Sequence, residues 1–240
     1  MENSLLIALS RQMVMQRHMA VIANNIANAS TPGYKGEQLL FVEYLAQTET
    51  GETVSYVQDL AVARDFSEGE LKQTGNSLDV AIHNDGWFVI DKPDGTAYTR
   101  NGHFTLNDQG QITTTGGYRV LDTDGTPITL GVEDQNITIA ADGTISTSNG
   151  LKARLDIVTF PEGTVLDKAG ETLFTTDATP EPATEAKVVQ GMIESSNVRP
   201  VVEVTNMIWA LRSYQAATEV TVSEDGLLRK TIEVLTETNM

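Results

Sequence analysis

Three histidines, His18, His83 and His103, are the side chains of this chain best suited to proton transfer or metal binding. A nucleophile–base pair or a metal site needs several such groups converging on one point, usually at helix or hairpin spacing. These three stand in separate contexts with no such spacing, which predicts satisfied or exposed rings. Asp122-Thr123-Asp124-Gly125 resembles the opening of a calcium loop, but the later ligand positions and the bidentate glutamate are missing, so a β-turn is expected. Gly116-Gly117 precedes a predicted strand and not a helix, so it is no phosphate cradle. The 33 acidic residues offer many carboxylate pairs, and none stands out as the acid and nucleophile of a glycosidase. Trp87 and Phe88 are candidates for a ligand platform, with one of them expected in the core because neighbours on a strand face opposite ways. Cysteine is absent, which excludes disulfides, thiol chemistry and cysteine-bound metal. No catalytic residue, cofactor site or metal ligand is assigned.

The elements around these residues carry a stronger signal. Residues 1–31 contain neither glycine nor proline. Leu5, Leu9, Gln12, Gln16, Met19, Ala23 and Ile26 follow a 4-3 spacing, and Met15, Met19, Ile22, Ile26 and Ala29 run beside them. Near the other end Val204, Met207, Leu211, Tyr214, Thr218, Thr221, Asp225, Leu228, Ile232 and Leu235 keep 3-4 spacing throughout. Such a repeat holds one stripe towards a partner helix. At about 1.5 Å per residue the two helices span on the order of 40 and 55 Å. The first is predicted to stop at Ser30-Thr31-Pro32-Gly33, and Pro200 suits the first turn of the second. Polar and small seam positions such as Gln12, Gln16 and Thr218 disfavour a simple dimeric zipper and allow close packing among several neighbours.

Between the helices the period changes to two. Leu78, Val80 and Ile82 share one strand face, and residues 84–150 hold ten of the 19 glycines, nearly all at turns. Asn101-Gly102 is the strongest hairpin signal, with further turns at Pro93-Asp94-Gly95, Asn107–Gly110, Gly116-Gly117, Asp124-Gly125 and Asp142-Gly143. This spacing predicts an antiparallel all-β domain. The resulting organisation is α+β: a terminal helical domain from 1–33 and 199–240, a connecting segment at 34–77, and a β-rich centre at 78–198. In the connecting segment Phe41, Val42, Tyr44 and Leu45 are expected to form a short turn or strand.

Net charge is −17, of which residues 1–33 carry +1, residues 201–240 carry −3 and the centre −15. Nearly neutral ends can pack together while an acidic middle stays solvated. No basic patch exists to offset phosphate, so nucleic acid is excluded as a partner. No segment approaches the ~20 apolar residues that span a bilayer, so no membrane insertion is expected. Glu2 is acidic where a secretory signal is basic, and Ser10-Arg11-Gln12 breaks the apolar run Leu5–Leu9, so no cleaved signal is expected.

The segment Val21-Ile22-Ala23-Asn24-Asn25-Ile26-Ala27-Asn28-Ala29-Ser30-Thr31-Pro32-Gly33-Tyr34-Lys35 resembles the N-terminal signature of the axial proteins of the bacterial flagellum. Lys72 to Ile82, Gly86-Trp87-Phe88-Val89 and Tyr98-Thr99-Arg100-Asn101-Gly102-His103-Phe104 resemble rod-protein segments in the same order. Glu194-Ser195-Ser196-Asn197-Val198 and Met207 to Tyr214 resemble the C-terminal signature. The opening Met1-Glu2-Asn3-Ser4-Leu5-Leu6 is most similar to the proximal-rod type, with the distal-rod type as the alternative.

The resemblance implies a structural subunit of the basal-body rod, not an enzyme. Its partners would be copies of itself, other rod proteins and the flagellar type III export apparatus, with no small-molecule substrate. It would lie in the periplasmic space, and its terminal helices would be unstructured when free and coiled-coil-like on assembly. The implied assembly interface is Leu5, Leu9, Met19, Ile22, Ile26, Val204, Met207, Leu211, Tyr214, Leu228, Ile232 and Leu235. Two other classes remain open: a carbohydrate-active enzyme on a β scaffold, and a ligand-binding module presenting Trp87 or Tyr98. Neither accounts for the terminal seams.

Overall fold

The long glycine- and proline-free start folds as predicted into a helix, α1, at Glu2–Ala27. It ends a few residues before the expected stop. Pro32 disfavours the helical conformation at Thr31. The Asn28 side-chain carbonyl takes the Thr31 hydroxyl proton (3.2 Å), and Thr31 N–H donates to the Asn28 carbonyl (3.1 Å), closing a turn in place of another helical turn. The computed structural model describes residues 2–47, 53–131, 133–161, 163–170 and 172–237. The fold is α+β, and the chain divides into two compact units, one of residues 1–27, 36–65 and 198–240 and the other of residues 28–35 and 66–197.

Unit 1 contains α1, a two-stranded antiparallel ribbon and the second helix. The ribbon is β1 (Glu37–Gln47) and β2 (Thr53–Arg64), in register from Glu37 opposite Arg64 to Gln47 opposite Thr53, with a bulge between Leu40 and Phe41. The sequence predicts that residues 34–77 connect two domains, with one short turn or strand. Two runs of β-branched and aromatic residues instead pair along their whole length, and the ribbon groups with the helices. Residues 48–52 of the connecting stretch lie outside the described residues. The second helix, α2, spans Pro200–Glu237. Proline occupies its first turn, where no donor is lost, and Glu203 faces the positive end of the helix dipole.

Unit 2 is the β-rich part. Its strands are β3 (Leu71–Gln73), β4 (Val80–His83), β5 (Trp87–Lys92), β6 (Gly95–Thr99), β7 (Phe104–Leu106), β8 (Ile112–Thr114), β9 (Arg119–Val120), β10 (Thr138–Ile139), β11 (Thr144–Thr147), β12 (Gly150–Arg154), β13 (Ile157–Thr159), β14 (Asp167–Lys168), β15 (Leu173–Thr175), β16 (Glu181–Pro182), β17 (Lys187–Gln190) and β18 (Met192–Glu194). Every pairing among them is antiparallel. The main sheet runs β14-β15-β6-β5-β9-β8-β7, with β13 joining β5 to β16. Beside it stand the sheet β10-β11-β12 and the ribbons β17-β4 and β18-β3. The final strand expected at residues 188–193 is split in two by Gly191, whose φ of 74° suits glycine.

Alternation along β5 explains why this sheet is covered on both faces. Phe88 and Ile90 enter one apolar cluster with Val80, Ile82 and Phe104, while Trp87 and Val89 enter a second with Tyr98 and Phe174. Trp87 and Phe88 are thus both buried, and neither forms a ligand platform. Tyr98 is buried as well.

The Asn101-Gly102 hairpin does not form. β6 pairs with β5 and β15, whereas β7 pairs with β8. Gly102 instead passes hard against β4: its carbonyl accepts from Val80 N–H (2.9 Å), and a Cβ built on it would lie 1.7 Å from the Val80 oxygen. Glycine is needed here for close backbone approach, not for a turn. Gly102→Ala is therefore expected to cost unit 2 more than about 2 kcal/mol through forced backbone movement. The urea midpoint of the variant measures it, and an unchanged midpoint would rule out the close approach.

Candidate assembly interface

The two helices of unit 1 lie antiparallel, since the Gln12 amide donates to Thr218 Oγ1 (3.0 Å) and the Asn25 amide to Glu203 Oε2 (3.4 Å). The α1 side of the contact is Leu5, Ala8, Gln12, Met15, Met19 and Ile22, a 3-4 row that is buried or half-buried throughout. The α2 side is Glu203, Met207, Ala210, Tyr214, Ala217 and Thr221, again at 4-3 spacing, together with the half-buried Thr218. Ala210 and Ala217 are the buried members and let the helix axes approach closely. Asn25 also binds the ribbon: its amide donates to the Glu37 carbonyl (2.8 Å), and Glu37 N–H donates to Asn25 Oδ1 (2.9 Å). A partly buried Arg64–Glu37 pair (3.3 Å) lies beside it.

This seam sorts the residues assigned from the sequence. Ile22 is buried, and Leu5, Met19, Ile26, Met207 and Tyr214 are half-buried within the chain. Leu9, Val204, Leu211 and Ile232 are exposed, at 47%, 48%, 45% and 61%. The side chains of Leu228 and Leu235 lie outside the described residues. The rows 203/210/217 and 204/211 have the same spacing, so periodicity does not distinguish them; the alanines do, and Thr218, next along the second row, turns back towards Gln12. Outward apolar residues that the spacing missed include Leu6, Met13, Val201, Ile208 and Trp209. Val201, Val204, Ile208 and Leu211 form one continuous stripe on α2, whose available signal was its own 3-4 spacing of apolar residues.

His18 is half-buried in unit 1. Its ring meets Phe41 and Trp209 edge-on, with centroids 5.4 and 6.3 Å away, and its buried Nδ1 has no hydrogen-bond partner among the described residues. Burial holds the imidazole below its ordinary pKa of 6.5, opposed by the nearby Glu203 carboxylate. A base whose pKa falls on folding is bound by protons more readily in the unfolded chain. The neutral ring of His18 therefore costs unit 1 nothing above pH 6.5, and unit 1 is expected to weaken as pH falls below it. His18→Leu should flatten that part of the response. Urea midpoints read by helical circular dichroism at about pH 7.5 and 5.5 test this, and an equal acid loss in both proteins would contradict it.

The candidates for chemistry in unit 2 are engaged in structure. His103 contacts the buried Asp79 (2.6 Å) and His83 contacts Glu68 (2.9 Å), in separate places. Asp122 accepts from the N–H groups of Asp124 (3.0 Å) and Thr126 (2.8 Å), making the expected turn. Asp142 and Asp156 line one groove of about 590 Å³ with Arg154 and Lys187. Asp142 is occupied by the N–H and hydroxyl of Thr144, which hold its pKa down. Burial, followed by the neighbouring Asp122, raises that of Asp156.

Three of the stretches that resemble flagellar signatures, 21–35, 98–104 and 194–198, each contribute one residue to a charge cluster in unit 2. Glu194 is buried and takes Lys35 Nζ on Oε1 (2.7 Å) and Arg100 Nε on Oε2 (2.9 Å). Sequence reasoning passed over all three residues. Their signal was a single acidic or strongly basic residue in each of these motifs.

Comparison with known proteins agrees with this arrangement. A family described as flagella basal body rod protein matches residues 5–35. The flagellar hook protein FlgE/F/G D1 domain matches residues 81–147, and the flagellar basal body rod FlgEFG protein C-terminal region matches residues 189–234. The chain is 36% identical to the flagellar basal-body rod protein FlgF of Caulobacter vibrioides over 245 residues, covering all of both chains. It is 34% identical to FlgF of Rhizobium meliloti over 98% of each chain. Against FlgG of Bacillus subtilis the identity is 32%, over 98% of this chain and 99% of the relative. A chain that shares full-length likeness with these proteins, and whose three matched regions take in most of both helices and five strands of the main sheet, belongs to the flagellar basal-body rod protein family, as a structural subunit of the rod and not an enzyme.

Proposed function

We propose that this subunit builds the drive shaft by helical self-assembly through the outward faces of α1 and α2, and that it is of the proximal-rod (FlgF) type ahead of the distal (FlgG) type. The observation that carries the reading is the pair of stripes around Leu9 and Leu211, exposed among the described residues. Exposed apolar surface of this extent is a liability unless another molecule covers it, and an open head-to-tail contact produces a filament, not a closed ring. Coiled-coil-like pairing between subunits uses the exposed row, while the row containing Ile22 and Ala210 pairs α1 with α2 inside each subunit.

The terminal helices with their ribbon form the assembly domain, and the β-rich unit spaces and stiffens them for torque transmission. The chain reaches the periplasmic space through the flagellar export apparatus and keeps its first residues. The use of Leu5 and Ala8 in the helix seam supports that retention. Immunogold labelling of the chain in isolated basal bodies tests the subtype: label at the inner-membrane end of the rod supports the proximal type, and label along the outer segment overturns it.

A further inference from the structure

With cysteine absent, methionine is the residue of this chain most open to two-electron oxidation. Of the seven methionines, the side chains of Met13, Met15, Met19, Met192 and Met207 lie among the described residues. The fold treats these five very unequally. Met15 is 6% exposed, and Met19, Met192 and Met207 are half-buried. Among the five only Met13 is exposed, at 64%. Its place gives that exposure a consequence. Leu6, Leu9 and Met13 are all exposed and follow 3-4 spacing on α1, so the thioether continues the apolar stripe around Leu9. Met13 also rims a surface hollow of about 410 Å³ with Val14, Gln16, Arg17 and Ala20. Met15, two positions on, is turned by about 200° round the helix and lies in the seam with α2. One turn of α1 therefore holds one methionine open to water and another shut away from it.

A thioether is soft, apolar and adaptable, which suits a surface that another molecule covers. A peroxide transfers one oxygen atom to it. The sulfur gives up two electrons and becomes a sulfoxide, the O–O bond breaks, and water leaves when the oxidant is hydrogen peroxide. The product keeps the length of the side chain but is polar. Its oxygen is satisfied while the face is open to water and is left without a partner when an apolar contact closes over it. We propose that Met13 is an oxidation site that governs assembly: as the thioether it lets subunits join, and as the sulfoxide it keeps them apart. The effect on assembly rests on the outward stripes being the surfaces that join subunits, whereas the selectivity of oxidation rests on burial within the chain alone.

Dosing the purified full chain with hydrogen peroxide, and following the added oxygen in each methionine peptide by mass spectrometry, tests the site. Met13 is expected to oxidise at least about tenfold faster than Met15. Equal rates would overturn the proposal. Isolated rods given the same dose are expected to keep Met13 reduced, and a Met13 oxidised as fast in rods as in the free chain would remove it from the assembly face. In cells, Met13→Gln imitates the polarity of the sulfoxide at an exposed position, with a residue that favours the helix. Loss of rods is expected from this variant, and normal rods from Met13→Leu, which is apolar and does not oxidise. Normal rods from Met13→Gln, or loss of rods from Met13→Leu as well, would overturn control by oxidation. If Met13→Gln builds rods while Leu211→Asp does not, oxidation control fails and the outward stripes stand as the interface. If both variants build rods, the interface reading fails with it.

Discussion

Leu211→Asp is expected to abolish rod formation while leaving the unfolding midpoint of the β unit where it is in the parent chain. Leu211 lies on the outward stripe of α2, next to Ala210, which faces α1. Within one chain the substitution touches little, and surface changes of this kind stay within about 0.5 kcal/mol. Between chains it sets a carboxylate into an apolar contact, where desolvation costs several kcal/mol per ion. A rod repeats that contact at every subunit, so the penalty multiplies along the filament. Motility and electron micrographs of basal bodies provide the readout. A motile strain with normal rods would remove Leu211, and the stripe it belongs to, from the interface.

Phe88→Ala should have the largest effect on folding, a loss of about 3–5 kcal/mol from unit 2. Phe88 is fully buried in the larger apolar cluster, and its ring stands edge-on to Phe104 with centroids 5.1 Å apart. The surrounding strands are paired on both sides of β5, so the site has little room to collapse around the missing ring. Domains of this size are stable by about 5–15 kcal/mol, so the variant keeps a small fraction of its margin. Tryptophan fluorescence of Trp87, one strand position away and in the second cluster, reports the transition. A midpoint within error of the parent would mean that β5 is not the centre of the unit.

Helices were the most legible part of the chain because a long uninterrupted 3-4 pattern has no competing reading. Which of two adjacent rows faces inward was not legible: Val204 and Leu211 are larger and more apolar than Glu203 and Ala210, yet the small residues make the intrachain seam. Most turns stood where glycine and asparagine placed them, as at Asn107–Gly110, where Gly110 N–H donates to the Asn107 carbonyl (2.9 Å). Asn101-Gly102 failed as a hairpin because tertiary contact with Val80 used the glycine for another purpose. The β1–β2 ribbon is weakly signalled because residues 48–52, between its strands in the sequence, are all polar or small and carry no hairpin dipeptide. The Lys35–Glu194–Arg100 cluster could not be inferred from spacing, because its members are joined only by the fold. The family signatures bracketed all three without stating why the charges are there.

The most direct measurement uses the absence of cysteine. Leu211→Cys places the sole thiol of the chain on the outward stripe of α2, where a small apolar side chain preserves assembly. Maleimide labelling should be rapid in the free subunit and blocked in isolated rods of the same protein. Equal labelling in both states would show that this face of α2 remains open to water in the rod, and that the subunits are joined elsewhere.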